Sequence, residues 1–317
     1  MAVLIRYAGV RVGLGLAQVL GVLGIVFVVA SVLPGDAAVV IAADDADPGR
    51  IAQLRETLGL DRPLLTQFGD WLTGLIRGDL GTSAISGRPV ADMLASALGP
   101  TLTLAILALL VLIPLAVALG VAAAVGRGRR MDRVISGVAV AFYAAPEFAL
   151  AIILVAVFAV GLGLFAPTAV GASGPLLMQP ELWVLPVVVL VIRPVCSLAR
   201  LVRSSMITAL ESEPTRHTLR LGVPLRRVVW RHALPGSLTP ATQHLARVTD
   251  WLLGGVVVVE SVFALGGLGQ VLVSAVSSRD IPLLMGLVAL FGSITVTVNT
   301  IADIVAFRLN RTAGATA

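Results

Sequence analysis

Six apolar stretches, each about twenty residues or longer, govern how this chain folds. A helix of that length matches the hydrocarbon thickness of a bilayer. Hydrophobic residues make up 57% of the 317 residues and charged residues only 13%. The mean hydropathy is +0.98. A soluble chain carries about a quarter charged residues, and the apolar runs leave no room for two soluble domains. The expected class is an all-α polytopic membrane protein with six transmembrane helices.

The first span is expected at 12–33, ended by Pro34-Gly35-Asp36, a helix stop with turn character. Arg6 and Arg11 precede it, as in a signal peptide, but its length and the lack of a small-x-small site favour a retained helix. A polar stretch follows to about Gly99. It holds two amphipathic helix candidates, 51–58 and 64–76, the second with Phe68, Trp71 and Leu75 on one side. Further spans are expected at 101–125, 134–162 (interrupted by Pro146-Glu147), 182–202, 241–262 (ended by Gly266-Gly267-Leu268-Gly269) and 283–307. The implied organisation is a tail and first helix over 1–35, an extracytoplasmic region with short helices over 36–99, a five-helix core over 100–310, and a tail over 311–317. The core includes a cytoplasmic region at 207–240.

All 23 basic residues are arginine. Without lysine the chain has no Walker A phosphate loop and no Schiff-base chemistry, so any ATP energy must come from another polypeptide. The net charge of +5 does not indicate nucleic acid, because the arginines sit beside apolar runs, where the positive-inside rule expects them. With the N-terminus inside, the inner segments carry fifteen arginines, including Arg127, Arg129, Arg130 and Arg133. The outer segments carry six, five of them in the long first loop. Both termini are therefore expected in the cytoplasm. Cys196 is the single cysteine and reads as a small buried thiol.

Between the fourth and fifth spans lies a basic, mostly non-spanning stretch. Residues 213–221 read as a short helix, with Pro214 in its first turn and Glu213 placed to pair with Arg216 or His217. Gly222-Val223-Pro224 breaks it. Residues 225–234 read as a second short helix stopped by Pro235-Gly236. Two short basic helices make either a knob able to transmit motion to a soluble partner or a simple positive-inside anchor.

Several motifs here resemble a known family. Glu213, Arg216, Gly222, Arg231-His232-Ala233-Leu234 and Pro240 follow the pattern of its cytoplasmic loop, and Ala199 to Met206 resembles its "ARLTRSSM". Leu253 to Glu260 resembles "LLGGAVVVE" and Gly267-Leu268-Gly269 part of "F…PGLG". Leu33-Pro34-Gly35-Asp36, Leu58 to Pro63, Arg77 to Ser83 and Gly87 to Val90 resemble its first outer loop; Asn299 and Asp303 match polar positions of its last span. On these residues the chain resembles a permease subunit of the dipeptide, oligopeptide and nickel ABC importers, a bacterial inner-membrane family.

The resemblance implies a type I importer permease fold. It also implies a second homologous permease, two ATPase subunits or one fused ATPase, and an extracytoplasmic solute-binding protein as partners, in a membrane of lipids and with no nucleic acid. Peptide is the implied substrate, and nickel or another small solute the alternative. No cofactor is implied on this chain, since ATP and Mg belong to the partner ATPases. The implied coupling residues are Glu213, Arg216, Thr218, Leu219, Gly222 and Arg231. Thr218 and Leu219 replace small residues of the family's "TARAKG", which implies a reshaped ATPase pocket or weaker coupling.

Arg193, His244, Arg247, Asp250 and Asp303 fall within spans, where a lipid-facing charge is costly. They either line a translocation path, meeting the charged ends of a peptide, or neutralise one another. His244 with Asp250 is too small a set for a metal site, and no nucleophile motif supports hydrolysis. An ion-coupled secondary transporter is the rival class, though such proteins show internal repeats and none is evident here.

Overall fold

The computed structural model describes residues 2–42, 47–171 and 179–314, with side chains described over 9–42, 47–171, 179–238 and 254–301. Apart from one isolated β-bridge between Thr82 and Pro89, the described regular structure is helical. The helices in order are α1 (Ala2–Val32), α2 (Ala37–Ala42), α3 (Pro48–Leu58), α4 (Leu64–Ile76), α5 (Val90–Val125), α6 (Arg130–Ala144), α7 (Glu147–Leu154), α8 (Glu181–Glu211), α9 (Glu213–Arg220), α10 (Leu225–Val228), α11 (Leu234–Phe263), α12 (Leu268–Ser277) and α13 (Ile281–Gly314). A π-helical turn, Val155–Gly161, continues α7, and another, Val229–Ala233, joins α10 to α11.

Among the described residues four helices are long and apolar enough to cross a membrane: Gly9–Val32, Val90–Val125, Glu181–Glu211 and Ile281–Ile301. Two bent pairs, Arg130–Ala144 with Glu147–Gly161 and Gly254–Phe263 with Leu268–Ser277, raise the count to as many as six if each is one span. The first pair bends by 104°. Its cause is Pro146: the residue before a proline is pushed out of the helical region, and Ala145 is extended at φ −75°, ψ 135°. The second pair breaks where Ala264 (φ 52°) and Gly266 (φ 70°) turn left-handed.

The chain divides into two compact units. The first comprises residues 1–101 and 265–304. One cluster of its core joins Val90, Leu94 and Ala97 of α5 to Leu268 and Ala275 of α12 and Leu283 and Leu287 of α13. A second joins Leu23 and Phe27 of α1 to Met285 and Ala289 of α13, with Phe68, Trp71 and Leu75 of α4 packed against it. Phe27 and Phe68 have ring centroids 5.3 Å apart. The α1–α13 contact requires small residues: a Cβ on Gly15 would fall 2.4 Å from Val296. Asp280, buried at the start of α13, accepts hydrogen bonds from the Ser83 hydroxyl, the Ala84 N–H (3.2 Å) and the Leu283 N–H (3.3 Å).

The second unit comprises residues 102–264 and 305–317 and is organised on α8, with α6, α7 and α11 against it. Gly120 of α5 meets α8 so closely that a Cβ there would lie 2.8 Å from the Ala199 carbonyl. The most apolar window of α8 is 72% buried, against 17% for α1 and 28% for α13. Those two helices expose apolar side chains, such as Leu14 and Ile25 of α1 and Ile301 of α13, of the kind that lipid or another protein covers.

The structure departs from the sequence expectations at four points. Helix α5 begins at Val90 rather than at 101, because residues 90–99 contain no helix breaker before Gly99 and Pro100, and the helix runs through both. Helix α12 follows the Gly266-Gly267 stop, where only a terminator was expected. Pro235-Gly236 does not stop the second short helix. The helical path runs without a break from α10 through the π-helical turn into α11, Leu234 donating its N–H to the Val229 carbonyl, and Pro235 follows directly after that wider turn. Glu213 forms no ion pair with Arg216 or His217, all three being described and exposed.

Candidate functional site

Helix α8 ends at Glu211, and a single residue, Ser212, in extended backbone (ψ 146°), separates it from α9. The Arg216 N–H donates to the Ser212 carbonyl at 3.0 Å, and Thr215 is buried with its Oγ1 3.0 Å from Ser212 Oγ. Helix α9 is therefore tied directly to the end of α8. Glu213 opens α9 and Arg216 lies exposed on it. Thr218 and Leu219 are half-buried, and the Thr218 hydroxyl donates to the Pro214 carbonyl at 2.8 Å. The chain turns at Gly222, φ 83°, a conformation that disfavours any residue with a Cβ. Pro224 then starts α10.

Beyond the turn, Val228, Val229 and Ala233 are buried, while Arg226, Arg227, Arg231 and His232 are exposed. Leu221 (70% exposed), Leu225 and Trp230 are exposed apolar side chains in the same segment. Glu213, Arg216, Thr218, Leu219 and Gly222 thus form one element, with Arg231 in the π-helical turn that follows. Arg193 stands apart. It lies eighteen residues before Glu211 on α8, or about 27 Å along the helix.

Arg193 is paired with Glu147, the first residue of α7, at 3.4 Å, with side-chain exposures of 36% and 11%. Its guanidinium also lies 5.2 Å from the centroid of the Tyr143 ring, and that of Arg200, two turns along α8, lies 4.7 Å from the same ring. The α6–α7 bend and one face of α8 therefore gather two cations, an aromatic ring and a carboxylate. His244, Arg247, Asp250 and Asp303 lie outside the residues whose side chains are described. Among the described residues no group of three or more His, Cys, Asp or Glu side chains could hold a metal ion.

Two further ion pairs, unread in the sequence, lie at the start of α6 and the end of α8. Asp132, at the start of α6, is buried and takes a two-pronged hydrogen bond from Arg203 of α8, at 2.6 and 2.8 Å. It also accepts from the Gly128 N–H at 2.9 Å and the Ser136 hydroxyl at 3.3 Å. Arg127 pairs with Glu211. The available signal was a lone carboxylate, Asp132, among Arg127, Arg129, Arg130 and Arg133. Both pairs pin the α5–α6 turn against the half of α8 that leads into α9.

Residues 116–314 match the family described as the inner membrane component of binding-protein-dependent transport systems, and residues 4–105 match the N-terminal region of such components. The chain belongs to this family. The permease is 37% identical to the glutathione transport system permease protein GsiC of Salmonella typhimurium, across 94% of its own length and 95% of that protein. It is 35% identical to a Brucella abortus protein named "Putative peptide transport system permease protein", across 93% of its own length and 94% of the relative. It is thus a multi-pass inner-membrane permease subunit of a binding-protein-dependent importer, and the family works with binding-protein and ATPase subunits.

Proposed function

We propose that this permease, paired with a second homologous permease, forms the translocation path of an ATP-driven importer of di- or oligopeptides. The cargo is supported by the relatives, named for peptide and for glutathione, itself a tripeptide. The six-span, type I arrangement counts each bent pair as one span, and the arginine asymmetry supports both termini in the cytoplasm. The same reading divides the chain functionally into 1–35, 36–99, 100–310 and 311–317.

The observation that carries the mechanism is the exposed α9–Gly222–α10 element at the end of α8. Leu221, Leu225 and Trp230 are apolar and exposed, and Arg216, Arg220, Arg226, Arg227 and Arg231 supply charge among them. Apolar anchors with a charged rim suit a protein partner, here the cleft of an ATPase subunit. Glu213, Arg216, Thr218, Leu219, Gly222 and Arg231 are the coupling residues in this reading. ATP and Mg act on the partner, as two ATPase subunits or one fused ATPase, and the outer region at 36–99 receives the solute-binding protein. Because α8 is continuous from Glu181 to Glu211, movement of the docked element is passed along it to the Arg193 cluster. Arg193, His244, Arg247, Asp250 and Asp303 line the path, with Arg193 positioned to exchange Glu147 for the carboxylate of a passing peptide.

The test is ATPase activity of the co-expressed complex in lipid, with binding protein loaded with dipeptides, longer peptides or Ni²⁺. Stimulation by peptides is expected. Stimulation by Ni²⁺ alone would overturn the cargo, and an intact complex that no ligand stimulates would overturn the coupling.

A further inference from the structure

Within the first unit, α1, α12 and α13 enclose an apolar groove of about 480 Å³, a size in the range of small-molecule sites. Val26 and Val29 of α1, Leu272 and Ala275 of α12, and Leu284 and Val288 of α13 line it. Its charged lining residue is Arg279, in the turn between α12 and α13. The groove starts at the ends of α1 and α12 and the beginning of α13, and follows α13 from Ile281 to Val288, a depth of about 10 Å. It is therefore polar at one end only.

Arg279 is available to a ligand. Its guanidinium donates one hydrogen bond, 3.3 Å long, to the Pro34 carbonyl just past α1. No carboxylate among the described residues forms an ion pair with it, and neighbouring Asp280 is occupied by Ser83, Ala84 and Leu283. The backbone supplies an independent argument. Arg279 closes α12 at φ 57°, and the Asp280 N–H donates to the Ala275 carbonyl at 3.0 Å. That closure favours glycine. An arginine there strains the turn, and what it adds is a cation at the mouth of the groove.

We propose that the groove binds an anionic phospholipid, its acyl chain along Val29, Leu284 and Val288 and its phosphate on Arg279. A phospholipid carries its anionic group at one end of an apolar chain, which is the polarity of the groove. A helix from another chain would fit the apolar walls but leave Arg279 without a counter-charge unless it brought a carboxylate to the same level. A guanidinium donates charge-assisted hydrogen bonds to a phosphate and matches its geometry, so a single arginine at the groove's end suits such a headgroup. The proposal is independent of the cargo and of the coupling element.

The test is native mass spectrometry of the complex purified with its co-expressed partner chains, offered phosphatidylglycerol or phosphatidylethanolamine. Phosphatidylglycerol is expected to be retained in preference, and Arg279→Gln to reduce its retention about tenfold, the scale of one charge-assisted contact. Arg279→Gly suits the left-handed turn, so it should fold at least as stably and lose the lipid equally. Equal retention of both lipids, or unchanged retention in both variants, would overturn the proposal. So would efficient cross-linking of a Val276→Cys variant to the second permease, which would put protein in the groove.

Discussion

Gly222 illustrates how one residue's backbone bears on the coupling proposed here. Its φ of 83° excludes most side chains, yet a Cβ built on it meets nothing within 4 Å. Any penalty for substitution is therefore conformational, about 1–2 kcal/mol. Asparagine visits the left-handed region far more readily than leucine. Gly222→Asn is expected to keep most ligand-stimulated ATPase activity, and Gly222→Leu to lose about five- to thirtyfold, the factor that strain implies. Equal activity in the two variants would remove the turn from the mechanism. The Asp132–Arg203 and Arg127–Glu211 pairs differ for another reason. Asp132 is 6% exposed and held by four hydrogen bonds, whereas Arg127 and Glu211 are both more than half exposed. Removing one partner of a buried pair costs about 3–5 kcal/mol, and an exposed pair contributes about 0–1 kcal/mol. Arg203→Leu should therefore lower the thermal midpoint of the purified protein markedly, while Glu211→Gln barely changes it. The reverse order would show that the Asp132 site is hydrated.

At the scale of elements, the sequence was most legible where a pattern and its end signals agreed. Helix α4 occupies the expected 64–76 because Pro63 sets its start and its apolar face repeats at helical spacing; Phe68, Trp71 and Leu75 pack together as that spacing implies. The turn at Gly222-Val223-Pro224 was legible for the same reason. Proline and glycine misled where context absorbed them, as at Pro235 in the first turn of α11 and at Gly266-Gly267, which turns the chain into α12. The sequence marks Asp132 as a lone carboxylate among arginines but does not say which cation on a distant helix it meets, so the Asp132–Arg203 and Arg193–Glu147 partners were not readable. The Arg193–Glu147 contact joins α8 to the start of α7 just after the Pro146 bend, so the two roles proposed for Arg193 separate by a double substitution. Arg193→Leu leaves Glu147, 11% exposed, without its charge partner and is expected to lower stability; adding Glu147→Leu should restore it. Peptide uptake should stay impaired in the double variant, with KM raised. Uptake that recovers together with stability would reduce Arg193 to a structural role.

For the whole molecule, orientation is the property on which the coupling element and the outer region both depend. Fifteen arginines on one set of segments against six on the other favour a cytoplasmic α9–α10. Five of those six lie in the long first loop, which contributes little to the rule, so the segments that count are still more one-sided. A direct test is accessible because Cys196 is the single cysteine and is buried. In a Cys196→Ser background, Leu221→Cys reports on the turn after α9, where the side chain is 70% exposed, and Leu65→Cys on the start of α4, where it is 88% exposed. A membrane-impermeant maleimide applied to intact spheroplasts is expected to label the Leu65 position and not the Leu221 position. Inverted membrane vesicles, freed of the ATPase partner that would cover the element, should show the opposite. Labelling of the Leu221 position from outside would place the basic element on the wrong side for any ATPase, and the coupling reading would fall with the orientation.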